Sequence, residues 1–246
     1  RTLAEGSGLD PGELYRVTGG NPFYVTEVIR SGAGSVPESA RDAVLSRATR
    51  LSGAAWKALE VMALVGLRTD PRLLKAVAGS PPDVVDELLA SGLVVDDVAW
   101  LRYRHEIARV AVASTIPAHR RASIHADILA ALLEQGSDDD AQLAFHAEGA
   151  GDAAAARHHA TRAAQQAAAL FSHHEAAAQY ARALRFTADA DPTTVAALHE
   201  EHAAQLSLLD AWQDAAAEYE RALAVWRSLS DRQREGRVLR LLARTM

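Results

Sequence analysis

Hydrophobic side chains recur along most of this chain at three- and four-residue spacings, the pattern of helices that bury one face. Over the first stretch, to about residue 50, the pattern comes in short pieces. Asp10-Pro11-Gly12-Glu13 supplies an N-cap, a proline at the first helical position and a carboxylate three residues after the cap, so a helix is predicted to Thr18, stopping at Gly19-Gly20. Asn21-Pro22 starts another, carrying Phe23, Tyr24, Val28 and Ile29, and Ser31–Ser35 reads as a loop. Pro37-Glu38 opens a third helix with Val44 and Leu45 on its apolar face.

Between Ser52 and about residue 116 the pattern changes. Ser52 caps a helix with Trp56, Leu59, Met62 and Ala63 on one side, and Asp70-Pro71 starts a short one bearing Leu73, Leu74 and Val77. Ser80-Pro81-Pro82 begins a third, with Val84, Val85, Leu88 and Leu89, ended by Gly92. Leu93-Val94-Val95, a turn at Asp96-Asp97 and a run from Val98 to Arg104 then make a hairpin. Three helices followed by a hairpin is the order of a winged helix-turn-helix. From Pro117 onward the pattern is helical throughout, with breaks predicted at 135–137, 149–151, 170–172, 189–192 and 229–231. Residues 176–184 and 215–223 match at seven of nine positions, an offset of 39. The spacing of small residue, tyrosine, Ala and Leu is that of the second helix of a tetratricopeptide-like pair. The fold expected is mainly α, a helical lid plus a winged-helix domain followed by tetratricopeptide-like α-solenoid repeats, divided at 1–50, 51–116 and 117–246.

Composition agrees and removes some function classes. Alanine dominates the apolar residues, which favours helix. There is no cysteine, hence no disulfide, thiolate metal site or cysteine nucleophile. No segment resembles a signal peptide or approaches the ~20 apolar residues that span a bilayer, so a cytoplasmic location without membrane contact is expected. The net charge of −6 provides no overall basic excess for nucleic acid. The third helix of the winged unit carries Asp83, Asp86 and Glu87 and no Arg or Lys, so direct DNA binding by it is not expected.

Motifs that carry chemistry are mostly absent from the sequence. Neither lysine, Lys57 or Lys75, sits in a G-x-x-x-x-G-K-[ST] loop, so the residues present are not expected to form an enzyme that hydrolyses nucleotide. No nucleophile elbow occurs. Histidines come in sets, His158/His159, His173/His174 and His199/His202, but without a third ligand solvated helix faces explain them better than a metal.

Four segments, in order, resemble a known family. Thr18-Gly19-Gly20-Asn21-Pro22-Phe23-Tyr24-Val25-Thr26-Glu27-Val28, Val36–Val44, Tyr103-Arg104-His105-Glu106-Ile107-Ala108-Arg109, and Ala147–Asp152 with the repeats resemble the large ATP-dependent LuxR-type regulators of the nucleotide-switch (STAND) class, relatives of the maltose-regulon activator. The resemblance implies lid, winged helix and helical sensor. A P-loop ATPase core would precede Arg1 and a DNA-binding output would follow Met246. It implies ADP or ATP in the parent protein and none held by the isolated chain, most of the pocket being on the missing core. It further implies a protein or small-molecule inducer on the repeats, and self-association of the open form.

By the same resemblance Gly20 and Pro22 would contact adenine, and His105 with Glu106 would stand at the β-phosphate of ADP. Two plainer readings stay open: Gly20-Asn21-Pro22 as helix stop, cap and start, and His105 as a helix-start residue packed under the wing. The competing function is a stand-alone helical-repeat scaffold for a protein partner.

Overall fold

The computed structural model describes Asp10, Gly12, Tyr15, Pro22, Val25, Ile29 and residues 38–245. Most of the expected lid therefore lies outside the described residues, including the helix stop at Gly19-Gly20 and the cap at Asn21. Gly12, Tyr15, Pro22, Val25 and Ile29 are helical. From there the order is α1 (Glu38–Ala48), α2 (Gly53–Val65), α3 (Pro71–Ala78), α4 (Pro82–Ala90), β1 (Val94–Asp97), β2 (Trp100–Tyr103), α5 (Glu106–Thr115) and α6 (Ala118–Glu134). The rest is α7 (Asp140–Ala150), α8 (Ala153–Ala169), α9 (His173–Leu184), α10 (Pro192–Leu208), α11 (Trp212–Ser228) and α12 (Arg232–Leu242). The chain divides into two compact units, residues 1–131 and 132–246, the division falling inside α6.

In the first unit local chemistry sets the helix starts. The Ser52 hydroxyl accepts from Ala55 N–H at 3.2 Å, and Asp70 accepts from Arg72 N–H at 2.8 Å ahead of Pro71. Leu59, Met62, Leu74, Leu88, Leu101, Ile107 and Val112 form the buried set. Tyr103 crosses it and donates its hydroxyl to the Leu59 carbonyl at 2.6 Å, and burial pushes this phenol well above its usual pKa.

The winged-helix order is present, with one difference from the sequence reading. Asp96 and Asp97 lie in β1, paired with Leu101 and Trp100, and the turn falls at Val98-Ala99. Asp97 is held in the strand by its pairing with Trp100, and its carboxylate lies 3.3 Å from Arg102 and 3.9 Å from Arg68. Val98 then takes the left-handed position, φ 60°, a costly place for a β-branched residue.

The second unit is a stack of antiparallel helices, the expected solenoid. Asp139, Asp152, Asp191 and Asp231 cap α7, α8, α10 and α12 through their side chains. The repeat is structural: Tyr180 and Tyr219 occupy matching buried positions in α9 and α11, flanked by buried Ala176, Ala183, Ala215 and Ala222. One break is absent from the sequence reading, that at Leu209-Asp210-Ala211 between α10 and α11. It contains neither glycine nor proline, and the chain turns by placing Asp210 in the left-handed region at φ 59°.

Buried acids join the helices. Glu60 of α2, 1% exposed, accepts from Trp56 Nε1 at 3.0 Å and is ion-paired with Arg120 of α6. Asp140 takes His159 at 2.7 Å, and Arg162 and Gln166 at 2.9 Å each. Glu200 accepts from Trp226 Nε1 at 2.6 Å, with Arg237 of α12 at 3.7 Å. Glu218 meets His199 Nδ1 at 2.5 Å, His202 at 3.5 Å and Arg221. With His173, which meets Gln205 of α10 at 2.9 Å, four of the histidines noted in the sequence serve helix contacts. No helix among the described residues is long and apolar enough to cross a membrane.

Two outcomes follow from these bridges. Arg120→Ala strands the Glu60 carboxylate in the core. The cost should be about 2 kcal/mol, below the ~3–5 of a fully enclosed pair because half of Arg120 is already in water. Adding Glu60→Gln should recover part of that loss, read by urea unfolding with Trp56 fluorescence as the local reporter. Burial pushes the Glu218 carboxyl up, but the hydrogen bonds and charges of His199 and His202 outweigh it and hold it at about 2, against 4.5 in the unfolded chain. The stabilisation is therefore complete above about pH 4.5 and is lost as pH falls through about 2. The Tm difference between the protein and Glu218→Gln should shrink across that window.

Candidate functional site

The hairpin and the start of α5 enclose the cleft where the candidate residues meet. Gly66 ends α2 with φ 120° and ψ −140°, a conformation open only to glycine. That turn lays the next residues along β2: Thr69 N–H donates to Leu101 O at 2.8 Å and receives the reverse bond at 2.9 Å. Arg68 is thereby brought beside Arg102. On the other side the strand runs out through Arg104 into extended His105, whose carbonyl accepts from Ala108 N–H at 3.0 Å and begins α5. The cleft, about 170 Å³, is lined by Leu67, Arg68, Arg102, Tyr103, Arg104, His105, Glu106 and Arg109, with Gly66 at its edge.

Its charge is lopsided. Four arginines and one carboxylate, Glu106, line it, and a second carboxylate, Asp97, pairs with two of those arginines from outside the lining. Arg109 Nε lies 2.9 Å from each oxygen of Glu106, and the same arginine donates to the Ala63 carbonyl at 2.8 Å. Arg102 and Arg68 share Asp97, and Arg104 Nε donates to the Gly92 carbonyl at 2.9 Å. Burial, helped by the charges of Arg104, Arg102 and Arg47, depresses the His105 pKa below its usual 6.5. The imidazole is therefore mainly neutral at pH 7 and can donate one ring N–H without adding charge. The first N–H groups of α5 and a surplus of arginines make the cleft electropositive within an acidic chain. At this size it falls below the ~300 Å³ at which whole small-molecule sites begin, but it has room for a phosphate-sized anion.

Of the four residues singled out from sequence, the structure brings two together. His105 and Glu106 are consecutive on the cleft wall, although Glu106 is turned to Arg109. Pro22 is helical and exposed and is not among the residues lining the cleft. Gly20 lies outside the described residues. Arg68 and Arg109 were not singled out. Arg109 had a local signal, the three-residue spacing from Glu106 on one helix face; Arg68 arrives through the Thr69 bridge, which no local pattern announces. On α4, Asp83 and Asp86 are exposed, while Glu87 accepts from the Ser52 N–H at 2.6 Å and hydroxyl at 2.7 Å.

No family model matches this chain, and no curated protein does. Among solved structures it is similar to the crystal structure of a Signal Transduction ATPase with Numerous Domains (STAND) protein with a tetratricopeptide repeat sensor, from Pyrococcus horikoshii. The similarity covers 99% of this chain with a TM-score of 0.56, at 14% identity. This chain spans 40% of the length of that one. At such identity the likeness establishes the fold alone: a mainly helical chain with a repeat solenoid.

Proposed function

We propose that this chain is the regulatory portion of a nucleotide-switch regulator of the LuxR type and is not itself an enzyme. In this reading an ATPase core holds ADP or ATP, the cleft at His105 receives the phosphate end, and the solenoid takes a protein or small-molecule inducer. The observation that carries it is the electropositive cleft, built where the sequence resemblance put a phosphate contact. The residues fit such a group: the neutral His105 imidazole would donate to a phosphate oxygen, Arg68, Arg102 and Arg104 would balance its charge, and Arg109 would keep Glu106 from repelling it. The chain's own part is to bind and orient; bond breaking would belong to the core. The fold likeness to a STAND protein with a repeat sensor supports the same reading. The exposed Asp83 and Asp86 of α4 argue against this winged unit as a DNA reader.

The test uses the parent gene product. ADP titrated by calorimetry should bind, and His105→Ala should weaken it by roughly ten- to a hundredfold, the value of a hydrogen bond to a charged group. Tight ADP binding unchanged by His105→Ala would return His105 to a packing role. A parent without a P-loop, or one that binds no nucleotide, would leave the helical-repeat scaffold as the function. A phosphate beside His105 should also raise its depressed pKa. ADP binding should then take up protons and tighten as pH falls toward 6, measurable as a buffer-dependent binding enthalpy.

A further inference from the structure

Among the described residues of the solenoid, large apolar side chains stand most exposed at two of its turns. The α8–α9 turn exposes Leu170 at 79% and Phe171 at 83%, and the α10–α11 turn exposes Leu208 at 60% and Trp212 at 44%. The hydrogen bond from His173 at the start of α9 to Gln205 near the end of α10, 2.9 Å, makes these turns neighbours. They also correspond in the repeat, since 210 − 171 gives the offset of 39, and both Phe171 and Asp210 are left-handed, with φ 59° each. Aspartate tolerates that conformation, whereas a bulky aromatic does so at a cost. Phe171 therefore gains nothing for the fold by its conformation and little by burial; its ring has only an edge contact with His173, centroids 6.3 Å apart. Local inconsistencies of this kind gather where a surface serves something other than folding.

Charge says what the edge accepts. Residues 163–181 and 203–220 contain no lysine or arginine, while Glu175, Asp210 and Asp214 are exposed there. We propose that the paired α8–α9 and α10–α11 turns form a docking surface for a basic amphipathic helix of a protein partner. Its apolar stripe covers Leu170, Phe171, Leu208 and Trp212, and its lysines or arginines lie against Glu175, Asp210 and Asp214. The surface belongs to the second unit alone and is independent of the cleft at His105.

The probe is a labelled leucine–lysine helical peptide of about 18 residues, roughly 27 Å long, beside an isomer with glutamate in place of lysine. Fluorescence anisotropy with the whole chain should show saturable binding of the basic peptide and none of the acidic one. Leu170→Ser with Phe171→Gly should weaken binding at least about tenfold, as loss of central apolar anchors does. Phe171→Gly alone should keep or raise the Tm, glycine being at ease at that φ. Asp83→Asn with Asp86→Asn, on α4, should leave binding unchanged. Equal binding of both peptides would overturn the proposal, as would binding that the edge substitutions do not touch or a lowered Tm in Phe171→Gly. Sedimentation showing self-association that Phe171→Gly dissolves would also overturn it, assigning the edge to a second copy.

Discussion

A carboxylate removed from water must be met by charge or hydrogen bonds, and the helix contacts of this chain are organised around that constraint. Glu60, Asp140, Glu200 and Glu218 are each under a tenth exposed, and each reaches a basic or indole side chain on a neighbouring helix. Part of the solenoid's apolar packing is built mostly from alanine. Around Tyr180 the buried cluster is Ala144, Ala160, Ala164, Ala183 and Leu198. Alanine lets helices approach closely but removes little area from water per residue and gives two helices few knobs to choose a register by. A slip of one turn, about 5.4 Å, changes such a contact little, yet it strands a buried carboxylate at a cost of several kcal/mol. Asp140, bridging α7 and α8 beside Ala144, Ala160 and Ala164, thus acts as a register pin for an alanine interface.

The same constraint sorts charge over the surface. Arginines used against buried acids are confined to the helix faces that carry them, as Arg162 with Asp140 and Arg221 with Glu218 illustrate. The cleft by the hairpin has arginines in excess, whereas the α8–α9 and α10–α11 turns have none. A net charge of −6 therefore describes no particular place on the molecule. Long-range steering of a charged ligand depends on these local fields rather than on the total.

What could be read from the sequence follows how local each cause is. Ser52 and Asp70-Pro71 marked helix starts because a cap needs only the next three residues. The Asp96-Asp97 turn failed because local propensity was overruled by pairing: the register that sets Leu101 between Asp96 and Thr69 carries Asp97 on opposite Trp100. The α10–α11 break had no glycine or proline to announce it, although the repeat offset maps Leu170–Ser172 onto Leu209–Ala211. The site behaved alike. His105 and Glu106 were legible as a resembling pair, but the positive character of their cleft needs Arg68, delivered by a bridge between Thr69 and Leu101. Pairing that brings distant residues together leaves no mark on either segment alone.

A cleft of this size and polarity constrains how a nucleotide could be sensed through it. At about 170 Å³ the cleft is below the ~300 Å³ at which whole small-molecule sites begin, and Pro22 is not on its wall, so in the proposed reading it would meet only part of a nucleotide, the phosphate end. Guanidinium side chains adapt to several anion positions, whereas His105 stands where the extended strand becomes helix. Two unit charges 4 Å apart interact by about 4 kcal/mol near a protein surface, so moving an anion a few ångströms changes the balance by the amount an allosteric switch requires. Sensing of that kind depends on where the charge lies relative to α5, not on how tightly the cleft closes around it. The Glu106–Arg109 pair then has a definite part. By neutralising the acid beside the imidazole, it would let the arginines set the sign of any response to an anion.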